Sequence, residues 1–191
     1  MKTLTKITTL LITFLSLNVA MAQQNMKVPV KFKLKNGVTL IVAPNQGMGK
    51  IYSRLTVEND EINANTEEST FLNNLLQQKA DTFNKIAYPL NGEVSPVSLQ
   101  VAEANTATRT NDFEEALTFA VNAMFNPNIT QDAVDNAAIK NLNVEQLKSY
   151  HKNTVKQSDT FLTIAGDISV ADAKMMVNKI FGNWKEIALA K

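Results

Sequence analysis

The sequence predicts an α+β fold in which long helices cover one face of a mostly antiparallel sheet. Segments of alternating apolar and polar residues near the start are typical of strands paired in hairpins. Longer segments with apolar residues every three or four positions, each opened by a capping residue, predict helices. A short apolar strand then appears late in the chain. The order is three strands, a helix, a strand, three helices, a strand and a helix, and this grouping favours an α+β domain.

The first two strands lie in the segment VPVKFKLKNGVTLIVAP, residues 28–44. One face carries Val28, Val30, Phe32 and Leu34, and then Val38, Leu40 and Val42. The other face of the first strand carries Lys31, Lys33 and Lys35. Asn36-Gly37 interrupts the alternation and predicts a type I′ hairpin turn, because both residues tolerate positive φ. The segment 50–57 alternates again and predicts a third strand.

The first helix is predicted to begin after Asn65, with Glu68 completing an approximate capping box. It would bury an apolar stripe formed by Phe71, Leu72, Leu75 and Leu76. Its polar side carries Thr70, Asn73 and Asn74.

The remaining elements follow from similar signals. Val97, Leu99 and Val101 alternate as in a single further strand. Three helices are then predicted: one capped by Asn111 and Glu114, one from about Thr130 to Leu142, and one opened by Asn143 and Gln146. TFLTIAGD, residues 160–167, is a buried strand ending in a Gly-Asp turn, and Ser169 with Asp172 caps a last helix that stops at Gly182.

The first 22 residues are expected to be a signal peptide. Lys2 and Lys6 form a basic start, residues 7–19 are mostly apolar, and Ala20-Met21-Ala22 matches a small-x-small cleavage site. The apolar segment is shorter than the roughly 20 residues of a membrane-spanning helix. We therefore expect an exported chain, periplasmic or secreted and not inserted in the membrane after cleavage, with a single domain over residues 23–191.

Charge balance argues against nucleic acid as a partner. The chain has 19 Lys and Arg against 18 Asp and Glu, and loss of Lys2 and Lys6 leaves 17 against 18. A nucleic-acid-binding protein needs an excess of basic residues. No cysteine is present, so disulfides play no part in this fold.

Catalytic chemistry is poorly supported. His151 is the only histidine, and catalytic zinc usually takes three protein ligands that are mostly His or Cys. We expect His151 to be a solvated helix residue. No G-x-S-x-G elbow and no glycine-rich phosphate loop occurs. The acidic pairs Glu67-Glu68 and Glu114-Glu115 fall in first helical turns, where they complement the helix dipole.

The order of these motifs resembles the pitrilysin/insulinase family of zinc metallopeptidases, which includes the subunits of mitochondrial processing peptidase. The likeness covers roughly Val28 to Lys185 and includes the hairpin Leu34-x-Asn36-Gly37 near its start. Near the end, the family has a helix of the L-x-x-F/Y type, a strand ending in Gly-Asp, and a helix ending in F-G-x-W. The corresponding residues here are Leu147, Tyr150, Gly166, Asp167, Phe181, Gly182 and Trp184.

The resemblance implies a degenerate metal site on the first helix. Active members carry H-x-x-E-H there, with two histidines on zinc and a glutamate that activates water. Aligning that motif places its residues on Thr70, Asn73 and Asn74. The same three residues would also suit an ordinary exposed helix face. The family's distal glutamate is missing too, because the segment 130–142 contains aspartate but no glutamate. We therefore expect no catalytic residue, no metal ligand and no zinc cofactor.

The resemblance thus implies a non-catalytic half-unit, which in active relatives pairs with a second unit around an extended peptide. The expected function is that of a partner or scaffold subunit for a zinc peptidase. The expected partner is a catalytic relative or a second copy of this chain. One alternative is a stand-alone exported protein that binds peptide or another ligand, and an active metallopeptidase is a further, weaker one. Either half of the paired fold could be the ancestor of this chain.

Overall fold

A computed structural model describes residues 27–63, 66–88, 96–137, 142–181 and 186–187. The signal-peptide segment lies outside these residues. The strands are β1 (Val30–Leu34), β2 (Thr39–Pro44), β3 (Lys50–Val57), β4 (Val97–Leu99), β5 (Glu103–Arg109), β6 (Thr160–Gly166) and β7 (Glu186–Ile187). They form one sheet in the order β4-β5-β3-β6-β2-β1-β7.

The sheet is mostly antiparallel, as the sequence predicts. Its parallel pairing joins β2 to β6, with Leu40 beside Leu162. On its other side β6 pairs antiparallel with β3, where Leu55 faces Leu162. The late strand therefore lies in the middle of the sheet.

The helices form a layer against one face of the sheet. They are α1 (Glu67–Ala87), α2 (Phe113–Phe125), α3 (Gln131–Asp135), α4 (Val144–Thr154) and α5 (Val170–Phe181). The core between the layers combines Leu40, Ile51, Leu55, Leu162 and Ile164 of the sheet with Leu72, Leu76, Leu117, Met124 and Leu147 of the helices, all of them fully buried. The predicted α+β class, with helices on one face, is confirmed. No helix among the described residues is long and apolar enough to cross a bilayer.

The first hairpin is confirmed, but its turn type is not I′. Gly37 has φ +94°, whereas Asn36 is not in the positive-φ region. The Leu34 carbonyl accepts from Gly37 N–H at 2.9 Å, and Leu34 N–H donates to the Val38 carbonyl at 2.9 Å. This is a three-residue loop with glycine in the left-handed position, and it therefore needs only one residue with positive φ.

The predicted single strand over residues 97–101 is instead the start of a hairpin. Gln100 and Glu103 exchange backbone hydrogen bonds, which makes Val101-Ala102 a two-residue turn before β5. Val101 is buried, as its alternation with Leu99 suggested, but it belongs to the turn. Strands β5 and β7 were not predicted.

Several helix boundaries differ from prediction. The N-cap of α1 is Thr66, whose hydroxyl accepts from Ser69 N–H, and Asn65 lies outside the described residues. Helix α2 follows a 3-10 turn at Thr110–Asp112 and has no side-chain cap, so the expected Asn111 cap is wrong. Helix α3 ends at Asp135, short of Leu142. Residues 138–141 lie outside the described residues.

The predicted caps of α4 and α5 are confirmed. Asn143 and Gln146 form a complete capping box, and the Ser169 hydroxyl accepts from Asp172 N–H at 3.0 Å. The predicted apolar face of the first strand is only partly correct: Leu34 is buried, whereas Val28 and Val30 are exposed. Gly182, the predicted helix stop, follows the last residue of α5 and lies outside the described residues.

Candidate functional site

Helix α1 presents the three positions that the sequence aligns with the H-x-x-E-H motif. Thr70 and Asn74 are exposed, and Asn73 is half-buried. The Thr70 hydroxyl donates to the Thr66 carbonyl one turn earlier, at 3.0 Å. Residues at spacing i, i+3 and i+4 share one side of a helix, so the three positions are neighbours as the alignment requires.

Asn73 has a structural contact that the sequence did not predict. Its Oδ1 accepts a hydrogen bond from Val101 N–H at 2.8 Å, in the turn between β4 and β5. The turn residues Val101 and Ala102 include no Gly, Asn or Pro to favour the bend. On the other side of this turn, the Ala102 carbonyl accepts from Val57 N–H at 2.9 Å. Asn73 therefore helps to hold a turn whose own residues do not favour it.

A second asparagine of α1 binds the same edge of the sheet. Asn84 donates from Nδ2 to the Val97 carbonyl at 2.8 Å, and its Oδ1 accepts from Val97 N–H at 3.1 Å. Strand β4 is the terminal strand of the sheet, and these Val97 groups point away from β5. Asn84 thus occupies both backbone groups with which an added strand would pair at this residue.

Asn84 was missed at the sequence level, although a signal for it exists. Leu76, Ala80 and Asn84 recur at four-residue spacing along the buried side of α1, and all three are buried. A polar residue that continues an apolar stripe usually finds a specific hydrogen-bond partner.

The side chains at Thr70, Asn73 and Asn74 supply neither a strong zinc ligand nor a general base. An asparagine amide is neutral, and the Asn73 oxygen is engaged with Val101. Within the described ranges, no group of three His, Cys, Asp or Glu side chains comes together in a way that could hold a metal ion. Whether these are the former ligand positions, and whether the protein is free of zinc, stay predictions for metal analysis and mutagenesis.

His151 is buried and not solvated, which corrects the sequence-based expectation. Its Nε2 lies 2.8 Å from the Met124 carbonyl of α2, so the neutral ring donates its Nε2 proton there. Burial lowers the pKa of His151 below its usual value, and the hydrogen bond to Met124 opposes that shift. His151 therefore joins α4 to α2 as a satisfied core residue.

The two acidic pairs lie in first helical turns, as predicted. Glu67 and Glu68 open α1, and Glu114 and Glu115 open α2. Glu114 forms an ion pair with Lys179 of α5.

The second acidic pair borders an open cavity of about 450 Å³ between α1 and α2. The cavity is lined by Phe83, Asn111, Glu114, Glu115, Thr118 and Phe119. Phe83 and Phe119 stack directly against each other in its wall, with ring centroids 4.0 Å apart. Thr70, Asn73 and Asn74 are not among the residues that line this cavity.

The C-terminal motifs have structural roles. Gly166 has φ +122°, and a Cβ there would collide with the Lys50 carbonyl on β3. The Asp167 carboxylate accepts from Gly47 N–H and Gly49 N–H, each at 3.0 Å, and so holds the loop between β2 and β3. Leu147 is fully buried, and the Tyr150 hydroxyl donates to the Glu61 carbonyl at 3.2 Å. The Gly-Asp pair thus joins the central strand to its neighbours.

Comparison with known proteins supports the same relationship. Residues 141–190 match the family model described as the peptidase M16 inactive domain. No curated protein matches the sequence at a significant level.

Solved structures of peptidases have the same fold. A protease from Helicobacter pylori matches with a TM-score of 0.63 and 14% identity over 87% of this chain and 53% of its own. A predicted insulinase family protease from Yersinia pestis matches with a TM-score of 0.60 and 16% identity. The match covers 85% of this chain and 48% of that protein. A peptidase M16 inactive domain from Pseudomonas fluorescens matches with a TM-score of 0.60 and 12% identity. The match covers 86% of this chain and 53% of that domain.

This chain therefore spans about half the length of each of these three structures. The resemblance predicted from the sequence is confirmed: the chain has the half-unit fold of the pitrilysin/insulinase (M16) proteases and matches that family's inactive-domain model in its C-terminal part.

Proposed function

We propose that this protein is an exported, non-catalytic partner or scaffold subunit for a zinc peptidase of the same fold. The observation that carries the proposal is the residue that α1 has at the position aligned with the glutamate of H-x-x-E-H. Where an active relative is expected to place its general base, Asn73 provides a neutral amide whose oxygen is bound to Val101 N–H. In this position Asn73 supports the edge of the sheet, and the catalytic residues would come from another chain.

The half-length match supports a pairing role. The chain covers 53% of the Helicobacter pylori protease and 48% of the Yersinia pestis protein. The fold of one half is thus present, and a catalytic relative would supply the other half. A second copy of this chain is the competing partner, and the experiment below separates the two.

The test combines light scattering with peptidase assays. The protein is mixed with a relative from the same organism that keeps H-x-x-E-H, and the mass of the complex and cleavage of an extended peptide are measured. We expect one-to-one association and a peptidase activity that depends on this subunit. The protein alone should contain no stoichiometric zinc and cleave no peptide.

Three results would contradict the proposal. In the first, the protein forms only homodimers and leaves the relative's activity unchanged. In the second, it is a strict monomer that binds no partner. In the third, the purified protein alone has a chelator-sensitive peptidase activity. The expected start of the exported chain at Gln23 is checked separately by N-terminal mass analysis. An intact segment 1–22 retained in the membrane would contradict export.

A further inference from the structure

The sheet face opposite the helices carries an unbalanced positive charge. Among the described side chains, the charged ones on this face are Lys31, Lys33, Lys50, Arg54 and Arg109, with Glu103 as the single acidic one. Leaving out the short β7, the rest of the described chain carries nine Lys and Arg side chains against fifteen Asp and Glu. The molecule is therefore polarised, with a basic sheet face and an acidic remainder, although its total charge is near zero.

Few of these cations are neutralised locally. Among the described side chains, Arg54 forms an ion pair with Glu103. Lys31 instead places its Nζ 5.8 Å from the centroid of the Phe161 ring, and Lys33 Nζ reaches only neutral oxygens, at 3.5 Å.

Carboxylates at the two ends of β6 are engaged elsewhere. Asp159 accepts from the Ser158 hydroxyl at 2.8 Å, and Asp167 is bound by the glycine N–H groups of the β2–β3 loop. Neither is directed by these contacts toward the basic side chains of the sheet face.

Lys50 and Arg109 form a like-charge pair in the sheet. They are directly opposite each other in the β3–β5 register, and both are exposed. Like charges at such positions destabilise a sheet, whereas an opposite pair would stabilise it. A cost of this kind in the unbound protein is offset when an anionic group binds between the two cations.

Between the cations the face is mostly apolar and aromatic, with Thr163 as a polar position between Arg54 and Ile41. Its floor is formed by Ile41, Ala43, Tyr52, Ala107, Phe161 and Ala165, and Tyr52 is 42% exposed. Lys50 and Arg54 are separated by about 13 Å along β3, and Arg54 and Lys31 by about 15 Å across the strands, from standard strand spacings. The area is wider than one side chain, so it suits an extended segment better than a small molecule.

We propose that this basic sheet face binds an acidic, extended polypeptide segment. Glu and Asp side chains would pair with the cations at its margin, and the segment's apolar side chains would contact the floor around Tyr52. Nucleic acid is the less favoured occupant, because the acidic remainder of the protein would repel a long phosphate chain. The proposal does not depend on pairing with a peptidase, so each can fail without the other.

The test uses fluorescence anisotropy with a short labelled peptide of alternating Glu and Ala. Peptides of Lys and Ala and of Gly and Ser, and an oligothymidine of similar length, are compared with it. We expect the full chain to bind the acidic peptide in preference to the other three, and more weakly as salt is raised from low to physiological ionic strength.

A charge-matched pair of variants locates the site. Lys31→Glu/Lys50→Glu/Arg109→Glu reverses the basic sheet face, and Lys85→Glu/Lys148→Glu/Lys152→Glu makes the same change in net charge on exposed helix positions. The first should weaken acidic-peptide binding at least about tenfold and the second by less than about twofold, since only local cations contact the peptide. Circular dichroism confirms that both variants are folded.

A single substitution separates binding from a merely structural role. Arg109→Glu places a carboxylate opposite Lys50, so the melting temperature should rise while the affinity for the acidic peptide falls. The proposal is overturned if both triple variants lose affinity equally, if the wild type does not bind the peptide at millimolar concentration, or if oligothymidine binds as tightly as the peptide.

Discussion

Asn73 on α1 and Val101 in the β4–β5 turn are joined by a 2.8 Å hydrogen bond from the Val101 N–H to the Asn73 Oδ1. The residue aligned with a catalytic glutamate thus supports a two-residue turn, Val101-Ala102, that contains no typical turn residue. Val101 is 2% exposed, so water cannot readily replace the asparagine oxygen.

We expect Asn73→Ala to lower the free energy of unfolding by about 1–2 kcal/mol, because it leaves a buried N–H without its acceptor. Asn74→Ala is the matched control: Asn74 is exposed, and its change should stay within about 0.5 kcal/mol. Urea unfolding measures both, and amide hydrogen exchange at Val101 should accelerate only in the first variant. Equal effects of the two substitutions would show that the hydrogen bond does not stabilise the turn.

The alignment of the H-x-x-E-H motif with α1 can be tested by introducing the residues of the motif. The variant Thr70→His/Asn73→Glu/Asn74→His should gain weak zinc affinity, because two histidines at spacing i and i+4 share one face of a helix. The control moves the same three residues one turn along α1, as Asn74→His/Gln77→Glu/Gln78→His, where every position is exposed.

Zinc affinity of both variants is measured by competition with a chromophoric chelator. We expect tighter binding at the aligned positions, where residue 73 is partly shielded from water, and some loss of stability from the broken Val101 contact. Equal affinities would indicate an ordinary two-histidine helix site and contradict the alignment.

Stability should depend on pH through His151. Burial lowers its pKa in the folded state, so the unfolded chain takes up the proton at a higher pH than the folded chain does. The contribution of the neutral ring is complete above the ordinary histidine pKa near 6.5, and it is lost as the pH falls from there through the lowered folded-state pKa.

The measurement compares the wild type with His151→Gln, whose amide can still donate to the Met124 carbonyl but does not titrate. Between neutral pH and about pH 5 the wild type should lose more unfolding free energy than the variant. Parallel pH profiles for the two proteins would mean that His151 does not titrate differently on folding.

Gly166→Ala should be severely destabilising, by at least about 3 kcal/mol, because the new Cβ meets the Lys50 carbonyl and the backbone has positive φ. Gly47→Ala separates the two causes: Gly47 also has positive φ, +88°, but its Cβ would meet nothing within 4 Å. Its cost should be about 1 kcal/mol. Thermal unfolding of the two variants checks the difference, and equal shifts would rule out the collision as the main cause.

The fold was predictable where periodicity and capping carry the signal. Strand β3, the buried face of β2, the capping box of α4 and the Ser169 cap of α5 depend on local sequence alone, and they appear as predicted. The β4–β5 hairpin was missed because Val97, Leu99 and Val101 alternate straight through its turn. That turn is held by Asn73 and Val57, which are distant in sequence, so no local pattern could reveal it.

The candidate site was only partly accessible from the sequence. The side of α1 that carries Thr70, Asn73 and Asn74 followed from helical spacing, but the partner of Asn73 did not. His151 was expected to be solvated because it lies near the end of α4. In the structure α2 packs against it, and the Met124 carbonyl accepts its hydrogen bond. The charge asymmetry of the sheet face also requires the strand order, which brings Lys50 beside Arg109.

The central position of β6 constrains the order in which this chain can fold. Among the described strands, only β6 (Thr160–Gly166) joins β2 to β3. Without β6 the earlier strands would form two separate pieces, the β1–β2 hairpin and the β3–β5–β4 unit. The strand that closes the sheet makes contacts more than a hundred residues back along the chain, so loop closure over that distance must precede most of the core packing. Such long-range topology predicts slow refolding, and fragments that stop before residue 160 should remain unfolded or aggregate through their exposed strand edges.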